Sequence, residues 1–482
     1  MAMDQGLRRL ALGTLLAAFP GEKPPGWALD LLDEGLAGHT LFGTNVGSPE
    51  QLAALTAALR SARPDALIAI DEEGGDVTRL GHRTGSPYPG NAALGVVDDP
   101  ALTTEVYAAI GGDLADTGIN LDLAPTVDVN TADDNPIIGT RSFGASPELV
   151  ARHAAAAVRG LQSAGVAACA KHFPGHGATL ADSHLELPTV DAPLAVLRSR
   201  DLPPFAAVVQ AGVQAIMSAH IRVPELTGDD PATFSSAALV TLARREYGFA
   251  GVLVTDALEM NGAALAAGGI APAAVRALAA GADLLCVGAR VDRELVETIA
   301  GEIVAAVTDG RLPLPRLEEA FTRTAKMATW SATPARTSDH DEALGVSAAR
   351  RAVRVEGTPN GLGVPLVVQL AAGHSIAEGR VPWGLRPHLN GAMQIDVVAD
   401  DASATELIER AAGRPIVVVG RHLHRSPGGR ALVEKLAAAH PVVVVEMGWP
   451  SSWRPAGSRA FVITHGASLA NGRAAAQVLG LA

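Results

Sequence analysis

The sequence predicts an α/β fold. A TIM-like (β/α)8 barrel occupies residues 1–330, and a smaller α/β sandwich domain with a mostly parallel sheet occupies 361–482. A linker and connecting helix, 331–360, join the two. Three observations predict this. Short apolar runs alternate with Ala- and Leu-rich helical patterns from Leu7 to about Thr329, about eight times, which is the signature of repeated βα units. Nearly every apolar run ends in polar groups. The alternation then breaks at SATPARTSDH and resumes on a smaller scale.

The strand candidates of the barrel are LALGTLLAAF, HTLFG, ALIAIDEEGG, INLDLAPTVDV, VAACAKHFPGHG, VQAIMSAHI, GVLVTDALEM and ADLLCVG. PEQLAALTAALRSA and PELVARHAAAAVRGLQSAG are typical of the helices between them. Arg8-Arg9 before the first run also fits a short signal peptide, but no clear small-residue cleavage site follows, and a strand is expected. Beyond the linker, GVSAARRAVRVEG reads as a helix. PLVVQLA, MQIDVVA, PIVVVGR, PVVVVEMG and AFVITHG read as strands of a parallel sheet. No Gly-rich fingerprint leads into a helix there, so no nucleotide site is expected.

The chain has 482 residues, 48 % of them hydrophobic and 18 % charged, enough apolar matter for two cores. A net charge of −13 without a basic run makes it a poor partner for nucleic acid or an anionic membrane. No apolar run approaches the roughly 20 residues of a membrane helix. A cytoplasmic monomer is expected, with secretion the alternative. The two cysteines, Cys169 and Cys286, lie in apolar runs and read as buried thiols.

The chemistry concentrates in KHFPGHGATLADSH, Lys171 to His184, which holds three histidines, a lysine and an aspartate in fourteen positions. Its Pro and two Gly break helix and strand alike, so it is a loop at the end of a strand, where barrel enzymes keep their catalytic groups. Asp182-Ser183-His184 pairs a carboxylate with an imidazole two positions on. Such a pair fixes the tautomer of an acid/base histidine, although a solvated loop histidine beside an acid has the same pattern. Asp256 ends the run GVLVTDALEM. It reads either as the cap of the following helix or as a nucleophile able to form a glycosyl ester. Lys171 could instead serve a Schiff-base aldolase. His172 and His176 with the D-x-H pair allow a weak zinc reading, which the intervening Pro and Gly disfavour, and no metal or organic cofactor is expected. Asp71, Arg79, Arg141, Lys171 and His172 suit a ring of polar groups around a hydroxylated ligand, and Ser218 and His220 end another strand. With five Trp and three Tyr, a long aromatic platform for polysaccharide is not expected, and a small buried sugar fits better.

These blocks resemble glycoside hydrolase family 3, and within it the NagZ-type β-N-acetylglucosaminidases. The resemblance runs in order through LFGTNVGSPEQL, DEEGGDVTRL, NPIIGTRSFG, KHFPGHGATLADSHLELP, IMSAHIRVPEL and VLVTDALEM. It implies a TIM-like barrel, Asp256 as nucleophile, and His184 as acid/base assisted by Asp182. It implies sugar-binding roles for Asp71, Arg79, Arg141, Lys171 and His172, and more loosely His220. The implied substrate is a non-reducing terminal β-N-acetylglucosamine on muropeptides. The implied activity is retaining hydrolysis, with phosphorolysis or β-glucosidase action as alternatives. One departure is Ala257, where many NagZ-type sequences carry an acid.

Overall fold

The structure is a computed structural model and describes residues 4–288, 291–332 and 342–482. It forms two compact units. The first comprises Met1–Glu72, Thr103–Ile138 and Ala145–His340, and the second Glu73–Leu102, Gly139–Gly144 and Asp341–Ala482.

The first unit is a barrel of eight parallel strands: β1 (Leu15–Ala17), β2 (Gly38–Leu41), β3 (Leu67–Ile70), β4 (Leu121–Asp122), β5 (Ala167–Phe173), β6 (Ala215–Ser218), β7 (Val252–Thr255) and β8 (Leu285–Val287). Neighbours in sequence are neighbours in the sheet, β1 also pairs with β8, and a parallel bridge from Val254 to Leu284 joins the remaining ends. The inward positions follow the period of two that a strand imposes. Leu67 and Ala69, Ala167 and Cys169, Ala215 and Met217, and Val252 and Val254 belong to one buried cluster with Leu16, Leu121 and Cys286. The helix Leu314–Ser331 adds Met327 and Ala328. The same count, carried two residues past the core, reaches Asp71 after β3, Lys171 on β5 and Asp256 after β7.

The helices start where the sequence signals a start. Ser48 and Ser146 each accept a backbone N–H at the head of Pro49–Ala62 and Pro147–Ser163, with Pro in the first turn of both. Two expectations need correction. LALGTLLAAF is not one strand: the helix Gln5–Leu12 takes its first half and β1 only Leu15–Ala17. Asp4 caps that helix through the Gly6 and Leu7 amides, a start signal just upstream of the run. INLDLAPTVDV contributes only two strand residues, after which Leu123 and Val127 still bond neighbouring strands singly.

The second unit holds a six-stranded sheet. Its strands are β9 (Arg354–Gly357), β10 (Leu366–Leu370), β11 (Met393–Val397), β12 (Ile416–Gly420), β13 (Val442–Glu446) and β14 (Ala460–Ile463), in the order β11-β10-β12-β13-β14-β9. All pairs are parallel except β14 with β9. The Val runs of β12 and β13 are unbroken because both faces are covered. Val418 and Val444 pack in one cluster, Val417, Val419, Val443 and Val445 in another. GVSAARRAVRVEG divides into the helix Glu342–Ala352 and β9, not one helix. β9 is an exposed, charged edge, so its sequence lacks the apolar alternation of a strand. Most of the expected linker SATPARTSDH lies outside the described residues; Ser331 ends a helix.

Two pieces from the first half of the chain complete this unit. Asp76 Oδ1 accepts the Ala467 amide at 2.7 Å, and Arg421 bonds Asp76 at 3.2 Å and Glu378 at 2.7 Å.

Candidate active site

Asp71, Lys171 and Asp256 stand at the carboxyl ends of their strands, as their period requires. Lys171 Nζ donates to Asp71 Oδ1 at 2.7 Å, with the lysine side chain 3 % exposed. An amine held this way is an ammonium, which can bind a hydroxyl but cannot attack a carbonyl. The neighbouring His172 turns Nδ1 to Asp128 Oδ2 at 2.7 Å. The other oxygen of Asp128 accepts the His176 amide at 2.6 Å. Burial works to raise the Asp128 carboxyl, but His172 and His176 outweigh it and hold it below the usual carboxylate range.

The loop beyond β5 is shaped by its glycines. Gly175 adopts a positive φ of 131°. Gly177 lies against the β4 side of the barrel, where a Cβ would fall 1.9 Å from the Val129 carbonyl oxygen. Farther along, Asp182 and His184 form the pair that their spacing suggested. Asp182 Oδ1 accepts from His184 Nδ1 at 2.6 Å and from the His184 amide at 2.9 Å. With Nδ1 committed to the carboxylate, proton exchange with a ligand falls to Nε2. Burial raises Asp182, yet the hydrogen bonds from His184 leave it below its ordinary value and so ionised at neutral pH.

Asp256 does not cap the next helix, which begins at Asn261 with Met260 in the cap position. Its Oδ1 accepts the Ala257 amide at 2.8 Å. Desolvation works to raise this carboxyl. The fields of His220, His172 and His184, with the Ala257 amide, outweigh it, so Asp256 is an ionised nucleophile candidate. His220 is fully buried, and burial pushes its imidazole below the ordinary range. Its Nε2 lies 3.0 Å from the Ala257 carbonyl, so that nitrogen carries a proton and the ring braces the backbone beside Asp256.

Asp71, Lys171, His172, Asp182, His184, His220 and Asp256 thus belong to one unit. Arg79 and Arg141 belong to the other. Arg141 grips Glu73 through two nitrogens at 2.9 and 2.8 Å, and both line a small polar cavity with Asp76, Asn91 and Thr140. Arg79 donates to the Ala377 carbonyl at 2.8 Å. Among the described residues no group of three or more His, Cys, Asp or Glu is arranged to hold a metal ion. The sequence shows Asp128 only as an acid at the end of the run INLDLAPTVDV and does not reveal its hold on both histidines; the polar run PTVDVN beyond β4 was the available signal.

Residues 27–327 match the model of the glycosyl hydrolase family 3 N terminal domain. The chain belongs to glycosyl hydrolase family 3. It is 35 % identical over 319 residues to a beta-hexosaminidase A of Pseudoalteromonas piscicida; the match takes in 61 % of this chain and 53 % of that relative, so the chain spans about half its length. The solved structure of a family 3 beta-N-acetylglucosaminidase from Paenibacillus sp. str. FPU-7 superposes with a TM-score of 0.89 at 31 % identity, covering 98 % of this chain and 96 % of that one. Native NagZ from Neisseria gonorrhoeae aligns at 32 % identity with a TM-score of 0.55, over 66 % of this chain and 98 % of its own. For this family 3 chain, the comparisons agree with the barrel-and-sandwich architecture expected from the sequence.

Proposed function

We propose that this family 3 chain is a retaining β-N-acetylglucosaminidase that removes a non-reducing terminal N-acetylglucosamine. The observation that carries the reading is the Asp182–His184 pair in the same unit as an Asp256 whose ionisation the His184 field favours. Asp256 attacks the anomeric carbon, and its bond to carbon replaces the bond to the leaving oxygen. His184 Nε2 gives that oxygen its proton. In the second step His184 takes a proton from water, the water oxygen attacks the anomeric carbon, and the Asp256 ester bond breaks. Asp182 stabilises the imidazolium without taking its proton. Asp71, Lys171 and His172 offer a carboxylate, an ammonium and an imidazole to sugar hydroxyls. Muropeptide fragments are the natural substrate this reading favours, on the resemblance of the KHFPGHG and DSH blocks to the NagZ-type enzymes.

The test is hydrolysis of p-nitrophenyl β-N-acetylglucosaminide beside the β-glucoside, with wild type, Asp256→Ala and His184→Ala. Preference for the N-acetyl sugar, abolished in Asp256→Ala, is expected. His184→Ala should lose roughly 10² to 10⁴ in rate on a poor leaving group and less on the nitrophenyl one. Substantial activity in Asp256→Ala would remove the nucleophile assignment. Running the assay in phosphate buffer distinguishes hydrolysis from phosphorolysis, since only the latter releases the sugar 1-phosphate.

A further inference from the structure

His176 is the histidine of KHFPGHG that neither the two-step reaction nor the sugar-binding groups employ. It is 2 % exposed, and both ring nitrogens are engaged. Nδ1 lies 2.7 Å from Thr179 Oγ1, and Nε2 lies 3.2 Å from Ser183 Oγ. Thr179 Oγ1 gives its own proton to the His176 carbonyl at 3.0 Å, so Nδ1 donates to Thr179. Nε2 then accepts the proton of Ser183. Ser183 is the residue between Asp182 and His184, and it too is buried.

The ring is itself well anchored. The His176 amide donates to Asp128, and its carbonyl accepts Asn135 Nδ2 at 3.0 Å. On its far side the Asp182–His184 segment meets the helix that follows Asp256. The Gly262 amide donates to the Ser183 carbonyl at 3.2 Å, and Asn261 Nδ2 to the Leu185 carbonyl at 3.1 Å. The peptide carrying the acid/base pair is therefore fastened to the loop beyond β5 by the His176 side chain, and to the segment after Asp256 by the Gly262 amide and the Asn261 side chain.

We propose that His176 is a positioning residue for proton transfer: its hydrogen bond to Ser183 holds the Asp182–His184 pair at the height from which His184 Nε2 reaches the leaving oxygen. The inference rests on the roles assigned above to Asp256 and His184. Only a neutral ring accepts from Ser183, and burial with the field of His172 pushes His176 down to about 4, so the fastening persists through the neutral range. A ring that merely filled space would be indifferent to what its Nε2 meets.

The experiment compares kcat/KM for wild type, Ser183→Ala, His176→Gln and the double variant on two β-N-acetylglucosaminides. One carries 2,4-dinitrophenolate, which departs without a proton; the other is chitobiose, whose sugar leaving group needs one. Each single variant should lose roughly tenfold on chitobiose and stay within about twofold of wild type on the dinitrophenyl substrate. The double variant should be no worse than the worse single one, because both remove the same bond. Equal losses on the two substrates, or losses that multiply in the double variant, would overturn the proposal. Ser183→Ala deletes one oxygen; should His176→Gln not fold, the substrate ratio of Ser183→Ala decides by itself. Asp256→Ala is run alongside. If it retains turnover, or wild type has none, the underlying reading falls. If it is dead and Ser183→Ala matches wild type on both substrates, only the positioning role falls.

Discussion

At the scale of single residues, the site is a set of charges placed two positions beyond a core. Asp71, Lys171 and Asp256 were legible because a strand's period carries inward residues from the core to the rim without further information. The D-x-H pair was legible because both partners lie within three residues. Asp128 and Ser183 were not, since Asp128 meets its histidines across the barrel rim and no spacing rule connects Ser183 with His176 seven positions earlier. His176 yields a stability prediction. Its folded value of about 4 lies below the 6.5 of the unfolded chain, so the unfolded state binds the extra proton between those two values. Stability from this residue is complete above about pH 6.5 and is lost as pH falls toward 4. The displacement corresponds to roughly 3 kcal/mol. Urea unfolding of wild type and His176→Gln at pH 7.5 and 4.5 should show the wild type's advantage shrinking on that order at the lower pH. An advantage that grows on acidification would contradict the burial of a neutral ring.

At the scale of elements, the barrel strands and the capped helices were readable from apolar runs, Ser caps and N-terminal prolines. β9 was not, because an exposed edge strand needs no apolar face. The start of β1 was misread because Gln5–Leu12 packs Ala11 and Leu12 inward and presents the same apolar letters a strand would. The loop after β5 is the element on which activity depends most. Its course past Val129 requires a residue without a Cβ at 177. Gly177→Ala meets backbone rather than a movable side chain, so the loop must shift by about an ångström. A shift of that size costs about 10² in rate where proton transfer depends on alignment. The expected result is a folded protein with a lowered Tm and a loss of that order in kcat/KM on chitobiose. Unchanged kinetics would show that the loop's course does not set the alignment.

At the scale of the whole molecule, the sequence suggests two successive domains, whereas the compact units exchange chain. Residues 73–102 and 139–144 fall in the middle of the barrel sequence and pack with the C-terminal part. Nothing in local pattern reveals this, because the decisive contacts join residues more than 300 positions apart, as Asp76 does with Arg421 and Ala467. Arg421 holds two carboxylates, with side-chain exposures of 6 % for itself, 3 % for Asp76 and 13 % for Glu378. Arg421→Ala would strand both charges, and a loss of about 3–5 kcal/mol in unfolding free energy is expected for the second unit, measured by urea denaturation. Arg421→Lys should recover only part of it, since a compact ammonium on a flexible stem is held less firmly than the planar guanidinium, whose Nη2 reaches both acids. A loss below about 1 kcal/mol for Arg421→Ala would mean that the pair is screened by water.

The same exchange bears on how such chains can be inherited in parts. A hybrid gene joined at residue 341 takes Asp76 from one parent and Arg421 from the other. The junction is clean in sequence, but the offspring folds well only where both parents kept matching acid and base. Recombination here selects on compatibility between segments that a linear map would treat as independent.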